Sequence, residues 1–169
     1  AELSDGVGGW CGFNAGADLP MAGFDLAVAL QRTGDIAAAV QVVRGLKVSD
    51  HADAEVWLRV GRLAMELKAP DVAEPFFRRG VELSPEAAGA RQQLGLNLLV
   101  QERDAEAAAE LGHAVRLNPR DADSLAHLAY CEVRLARFAE AQAHVAAALA
   151  LDPAHPVARQ VAQALARIR

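Results

Sequence analysis

The sequence predicts an all-α protein made of stacked helix pairs, and three observations support this. Its pattern of small, apolar and turn residues repeats every 34 residues, in blocks 20–53, 54–87, 88–121 and 122–155. The chain is 53% apolar and rich in alanine but only 5% aromatic, which favours closely packed helices over sheets. Apolar residues within each block recur at helical spacing. A fixed period of this length indicates supersecondary units that bury their apolar faces only by stacking.

Each block contains two amphipathic segments joined by a short turn, and small residues recur at two fixed positions. The turns fall at Gly34-Asp35, at 68–71, at Arg103-Asp104 and near Arg137-Phe138. Two helices approach to about 8–10 Å only where the crossing point carries little side chain. The small residues therefore predict where the helices cross. They are Ala27, Gly61, Gly95 and Ala129 at position 8 of the blocks, and Ala39, Ala73, Ala107 and Ala141 at position 20.

The segment 156–169 predicts one more helix, which closes the stack. Val157, Val161, Leu165 and Ile168 fall on one face, and arginine and glutamine cover the other. Terminal units of a repeat array need a cover with a polar outer side. The sequence therefore predicts nine helices, arranged as four pairs and a C-terminal cap.

This pattern resembles the tetratricopeptide repeat family over residues 20–155. The second block carries it most fully, and two positions depart from it. His51 replaces the usual terminal proline of the first block, which predicts a looser junction there. Glu132 stands where the fourth block should bury an apolar residue, which predicts a rotated or end-exposed first helix. The resemblance implies a right-handed α-solenoid. It also implies that the chain is a non-enzymatic protein-interaction module. The matching residues of the second block are Trp57, Val60, Gly61, Ala64, Ala73, Phe77, Gly80 and Pro85.

Residues 1–19 stand outside the repeats and are rich in glycine. Two interpretations stay open for them. The segment is a flexible leader, or it docks through Trp10 and Phe13, because a pure linker would lack large aromatic residues. Docking on the chain's own groove would make it a plug, and docking on a neighbour's would give self-association.

Composition and motifs exclude several functional classes. The net charge of −5 argues against a nucleic-acid partner, and no apolar run is long enough to span a bilayer. The five histidines form no metal-ligand pattern, each is expected to be exposed or half-buried, and no phosphate-binding loop is present. We therefore predict no catalytic residues, no metal and no cofactor. Cys11 and Cys131 can form a disulfide only if the leader folds back.

The family resemblance implies that the first helix of each pair lines the inside of the superhelix. Positions 2, 5, 9 and 12 of each block then face the groove, which is predicted to be mostly apolar. The positions that form a cationic clamp in some family members include Phe24 and Val28 here, so no clamp is expected. The alternative is that flanking helices bury part of this stripe. The predicted groove residues are Phe24, Val28, Gln31, Leu58, Arg62, Met65, Gln92, Leu96, Leu99, Tyr130 and Val133.

These observations predict that the protein is a scaffold or adaptor, which binds a peptide segment of a protein partner in the groove. The alternative hypothesis is an assembly factor or chaperone for a secreted or pilus-like subunit. A third is the helper array of a catalytic domain on a longer chain. The abundance of alanine, arginine and valine is typical of a bacterial protein, and the compartment stays open between the cytoplasm and the periplasm.

Overall fold

The computed structural model describes residues 19–49 and 52–168, with side chains from residue 22 onward. Within this part of the chain there are nine α-helices and no strand. They form an all-α repeat solenoid, as predicted. The helices are α1 Leu19–Thr33, α2 Ile36–Arg44, α3 Ala54–Glu66, α4 Pro70–Leu83, α5 Ala88–Val100, α6 Asp104–Leu117, α7 Ala122–Arg134, α8 Phe138–Leu151 and α9 Pro156–Arg167.

The helices pack as consecutive antiparallel pairs, and each pair then packs on the next. The most extensive contacts lie within pairs, between α3 and α4, α5 and α6, and α7 and α8. The next pair begins on the previous second helix, as where α5 packs on α4 and α7 on α6. The junction of α2 with α3 is much less extensive, and α2 has only 9 residues. His51, which predicted a looser junction here, lies outside the described residues.

Complementary side-chain volumes at positions 8 and 24 let the two helices of the second and third repeats pack closely. A Cβ atom added to Gly61 would lie 2.7 Å from Phe77, and one added to Gly95 would lie 2.7 Å from Leu111. Large position-24 side chains therefore require glycine at position 8. In the first and fourth repeats, alanine stands at position 8 and the smaller valine at position 24. These residues are Ala27 with Val43 and Ala129 with Val145, all of them buried.

The turn inside every repeat has the same backbone geometry. Position 15 is in the left-handed region in all four repeats, at Gly34 (φ 87°), Lys68 (60°), Glu102 (60°) and Ala136 (59°). The next residue donates its N–H to the carbonyl five residues back, as from Ala69 to Ala64 at 2.9 Å. This bond belongs to the Schellman motif, which satisfies carbonyls at a helix end. The turn is thus set by hydrogen bonding, although only the first repeat has glycine there.

The structure corrects the prediction that the first helix of the fourth repeat would be rotated or end-exposed. Glu132 is only 6% exposed, and α7 is covered by α6, α8 and α9. The carboxylate lies 2.8 Å from Nδ1 of His144 in α8. A polar partner therefore lets this position stay buried without an apolar residue.

Two other sequence predictions fall partly outside the described residues. Trp10 and Phe13, on which the docking hypothesis depends, are not among them, and neither is Cys11. Cys131 is a free thiol with no exposed surface. Among the helices that the structure describes, none is long and apolar enough to cross a membrane.

Candidate functional site

The first helices of the pairs, together with α9, form one continuous surface, which we call the first-helix face. Its helices contact one another in series, α3 with α5, α5 with α7 and α7 with α9. Among the second helices, close packing of this kind is found between α2 and α4. From α3 onward the first helices therefore pack on one another, whereas at the N-terminal end the packing is between the second helices α2 and α4. Two clefts open on this face.

The N-terminal cleft lies between α1 and α3 and has a volume of about 350 Å³. Half-buried Phe24 and Val28 supply its apolar surface, and both also pack against the core. A cleft of this size is large enough for one or two side chains of a ligand. Its lining residues are Phe24, Val28, Gln31, Arg32, Arg59, Arg62, Leu63 and Glu66.

Three guanidinium groups surround this apolar surface, and they differ in their contacts. Arg62 pairs with Glu55 at 2.5 Å. Arg59 lies over the ring of Phe24, with its guanidinium carbon 5.1 Å from the ring centroid, in a cation–π contact. Arg59 and Arg32 form no ion pair within residues 19–49 and 52–168. The cleft therefore has an excess of positive charge beside its apolar floor.

The C-terminal cleft lies between the end of α5, α7 and α9 and has a volume of about 300 Å³. Its one guanidinium, Arg134, donates to Asp104 at 2.8 Å and lies 5.9 Å from the ring centroid of Tyr130. Hydrogen bonding to Tyr130 and then to Asp104 raises the pKa of Arg134. Arg134 is therefore committed to contacts within the protein. The lining residues are Leu99, Val100, Glu102, His127, Tyr130, Arg134, Val157 and Gln160.

The remaining predicted groove residues lie between or beside the clefts. Met65 accepts a hydrogen bond at its sulfur from Asn97, and Gln92 donates to Asp121 at 2.9 Å. Leu96 and Val133 are both half-buried. Met65 and Gln92 therefore already have partners inside the protein.

Leu58 was wrongly predicted to face the groove. It is only 8% exposed, and its side chain fills the space beside Gly80 of α4, where an added Cβ would lie 2.5 Å from Leu58 Cδ2. Leu58 is therefore a contact between α3 and α4. The alternative that neighbouring helices bury part of the stripe holds at this position.

Sequence reasoning missed ten of the residues that line the two clefts, and two reasons explain most of these omissions. Arg32 and Arg59 each directly follow a position assigned to the groove, so a wider helical stripe would have included them. Val157 and Gln160 occupy positions 2 and 5 of a fifth block that begins at Pro156. Treating 156–169 only as a cap left that block out of the pattern.

The histidines form no metal site in the part of the chain that the structure describes. His155 corrects the expectation of an exposed or half-buried ring, since it is 5% exposed. Its Nδ1 accepts the N–H of Ala158 at 3.3 Å and so caps the start of α9, while Nε2 lies 2.8 Å from Asp123. His155 is buried because it joins α9 to α7.

A model of the tetratricopeptide repeat matches residues 54–86, within the second repeat. None of the curated proteins matches the chain in sequence.

Several solved structures share the fold. The chain is similar to YrrB, described as a TPR protein with an unusual peptide-binding site (18% identity, TM-score 0.69, covering 85% of this chain and 74% of that one). It is similar to MamA from Desulfovibrio magneticus RS-1 (25% identity, TM-score 0.64, covering 81% and 77%). It is also similar to the first TPR domain of Spaghetti (RPAP3), solved with an HSP90 peptide (22% identity, TM-score 0.62, covering 70% and 99%).

Proposed function

Because the chain is a tetratricopeptide repeat protein, we propose that it is a non-enzymatic interaction module whose first-helix face binds a peptide segment of a protein partner. The observation that carries this proposal is the presence of two clefts on the first-helix face, each with an apolar surface and a polar rim. Pockets of this composition anchor a few side chains and orient them by polar contacts.

The shape of the face favours an extended or helical segment over a small molecule. Each cleft is at the small end of the volume range of ligand pockets, and both open on the first-helix face. A peptide that lies across the helices reaches both. The net charge of −5 favours a protein partner over a nucleic acid.

The proposal is tested by selecting peptides from a random phage-displayed library on the immobilised chain. Selected peptides are then titrated by fluorescence anisotropy. Val100 is 59% exposed and lines the C-terminal cleft, so Val100→Glu places a charge there with little cost to folding. Ala139→Glu is the control, because Ala139 is exposed on α8, a second helix.

We expect Val100→Glu to weaken binding by roughly ten-fold, the effect of burying an unpaired charge at a contact, and Ala139→Glu to leave it unchanged. Failure to select any peptide, or equal affinities for all three proteins, would contradict the proposal. A natural ligand that aggregates without this chain would assign the narrower role of chaperone.

A further inference from the structure

The two clefts of the first-helix face differ in charge, and this difference bears on the partner's chemistry. Arg32, Arg59 and Arg62 line the N-terminal cleft together with a single carboxylate, that of Glu66. Glu66 accepts a hydrogen bond from Gln31 at 3.4 Å. This concentration of positive charge is found in a chain whose net charge is −5.

Two of these guanidinium groups are available to a ligand. Arg32 and Arg59 are both exposed and have no ion pair within the described part of the chain, whereas Arg62 is paired with Glu55. The contact with the Phe24 ring orders Arg59 at the edge of the apolar floor. A guanidinium recognises a carboxylate through two parallel hydrogen bonds, which makes a held arginine selective for this group.

The C-terminal cleft offers no comparable charge. Its only arginine, Arg134, is bound to Asp104, and the rest of its rim includes Glu102 and Gln160. The exposed surface of Val100 and the ring of Tyr130 suit an apolar side chain instead. The two clefts therefore differ in the ligand side chains that suit them: an acidic and an apolar group at the first, and an apolar group at the second.

The separation of the clefts sets the spacing of these parts along the segment. The N-terminal cleft lies between α1 and α3, and the C-terminal cleft lies around α7, between α5 and α9, so they are separated by roughly two to three first-helix steps. At about 8–10 Å for each step, the clefts are roughly 20 Å apart. An extended chain rises about 3.3 Å for each residue, so roughly six residues span this distance.

We propose that the N-terminal cleft selects an internal acidic–apolar pair in the partner segment. The apolar side chain lies on Phe24 and Val28, and the neighbouring carboxylate binds Arg32 and Arg59. A second apolar residue, about six residues away, enters the C-terminal cleft. This inference rests on the proposed function and adds the chemical class of the ligand.

The test uses three short fluorescent peptides with two leucines spaced six residues apart, a spacing of about 20 Å when extended. The acidic probe has glutamate on both sides of the first leucine and blocked ends. The neutral probe is identical except for glutamine in place of each glutamate. The third probe is neutral but ends in a free carboxylate next to a leucine.

We expect the full chain to bind the acidic probe roughly ten-fold more tightly than the neutral probe, as charge-assisted hydrogen bonds predict. Arg32→Gln combined with Arg59→Gln should abolish this preference. Arg32→Gln alone should reduce it without disturbing the contact with Phe24. Arg137→Gln is the matched control and should preserve it, because Arg137 lines the outer groove between α6 and α8. Added salt should also reduce the preference.

Equal binding of the acidic and neutral probes, or a preference that survives loss of both arginines, would overturn the inference. Preferential binding of the third probe would overturn it in favour of terminal-carboxylate capture. If no probe binds at millimolar concentration while library-selected peptides do, the proposed preference for an acidic–apolar pair is wrong and the proposed function stands. Val100→Glu should weaken both blocked probes by a similar factor, because both place a leucine in the C-terminal cleft. Unchanged affinity of both probes for this variant would overturn the two-cleft arrangement.

Discussion

Gly95 and Leu111 are complementary: a Cβ atom at residue 95 would lie 2.7 Å from Cγ of Leu111, far closer than carbon atoms pack. Gly95→Ala should therefore destabilise the fold, although alanine is the better helix former by about 1 kcal/mol. Overpacking costs about 1–3 kcal/mol, so we expect a net loss of about 1 kcal/mol in the free energy of unfolding.

Leu111→Val should rescue this variant, because it recreates the alanine–valine pair of the first and fourth repeats. In urea denaturation, the double variant should lose less stability than the sum of the single variants. Strict additivity would show that the two positions do not share one packing site. Ala107→Leu should also destabilise, since Ala107 is fully buried, whereas Ala139→Leu, at an exposed site, should be nearly neutral.

The intrarepeat turns predict a stabilising substitution. Ala136 has φ 59°, a conformation that costs an L-residue about 1–2 kcal/mol but costs glycine little. Ala136→Gly should raise the free energy of unfolding by up to about 1 kcal/mol, after the entropy of the unfolded chain is included. Ala139→Gly, in the first turn of α8, should instead lower it by about 0.5 kcal/mol. If both glycine substitutions destabilise the protein, the backbone strain at residue 136 is smaller than the entropy that glycine adds to the unfolded chain.

The repeat period predicts the fold because packing inside a helix pair depends on a few positions that recur. Position 8 is small in every repeat, and in the second and third repeats the structure places it against position 24. The period does not show which edge of a helical face is covered. Leu58 faces inward because Gly80 leaves room beside it, and that depends on a residue in another helix.

Polar contacts between helices also could not be predicted from the sequence. Glu132 and His144 are 12 residues apart and belong to different helices, and His155 reaches Asp123 across 32 residues. Neither pair follows the repeat period, so no internal comparison between blocks identifies it. The arginines of the N-terminal cleft were missed for a simpler reason. The positions assigned to the groove mark a narrower strip of each helix than the strip that lines the cleft.

The buried Glu132–His144 pair predicts unequal effects of removing either partner. His144→Ala leaves the carboxylate buried without its hydrogen bond, which should cost about 1–3 kcal/mol in the free energy of unfolding. Glu132→Leu restores the apolar residue that the repeat pattern expects and should be neutral or stabilising. In the Glu132→Leu background, His144→Ala should have a much smaller effect. An equal cost in both backgrounds, measured by urea denaturation, would argue against the pair.

Cys131 should be inert in the folded protein. Burial, followed by the nearby carboxylates of Asp104 and Glu132, raises the pKa of its thiol to about 12. Since the thiolate is the reactive species, a thiol reagent at pH 8 should not label it without unfolding. The measurement uses a Cys11→Ser variant, with denatured protein as the positive control. Rapid labelling of native protein would show that α7 opens locally far more often than its burial indicates.

Glu74 should make stability depend on pH in the acid range. Burial raises the pKa of Glu74, but hydrogen bonds from Arg103, Arg78 and Gln101 outweigh it and hold the pKa below its ordinary value of 4.5. Because the folded pKa is lower than the unfolded one, the ionised group stabilises the fold above about pH 4.5. This stabilisation is lost as the pH falls through the folded pKa.

Glu74→Gln should therefore lower the free energy of unfolding by about 1–3 kcal/mol at neutral pH, and the difference from wild type should shrink below about pH 4.5. Glu82→Gln is the control, since its ion pair with Arg79 is exposed and should contribute less than about 1 kcal/mol. The measurement is urea denaturation at a series of pH values. A difference that stays constant into the acid range would show that the Glu74 contacts do not depend on its charge. The expected pH dependence follows from geometry: Arg103 Nη1 lies 2.7 Å from Glu74 Oε2, and this contact links the third repeat to the second.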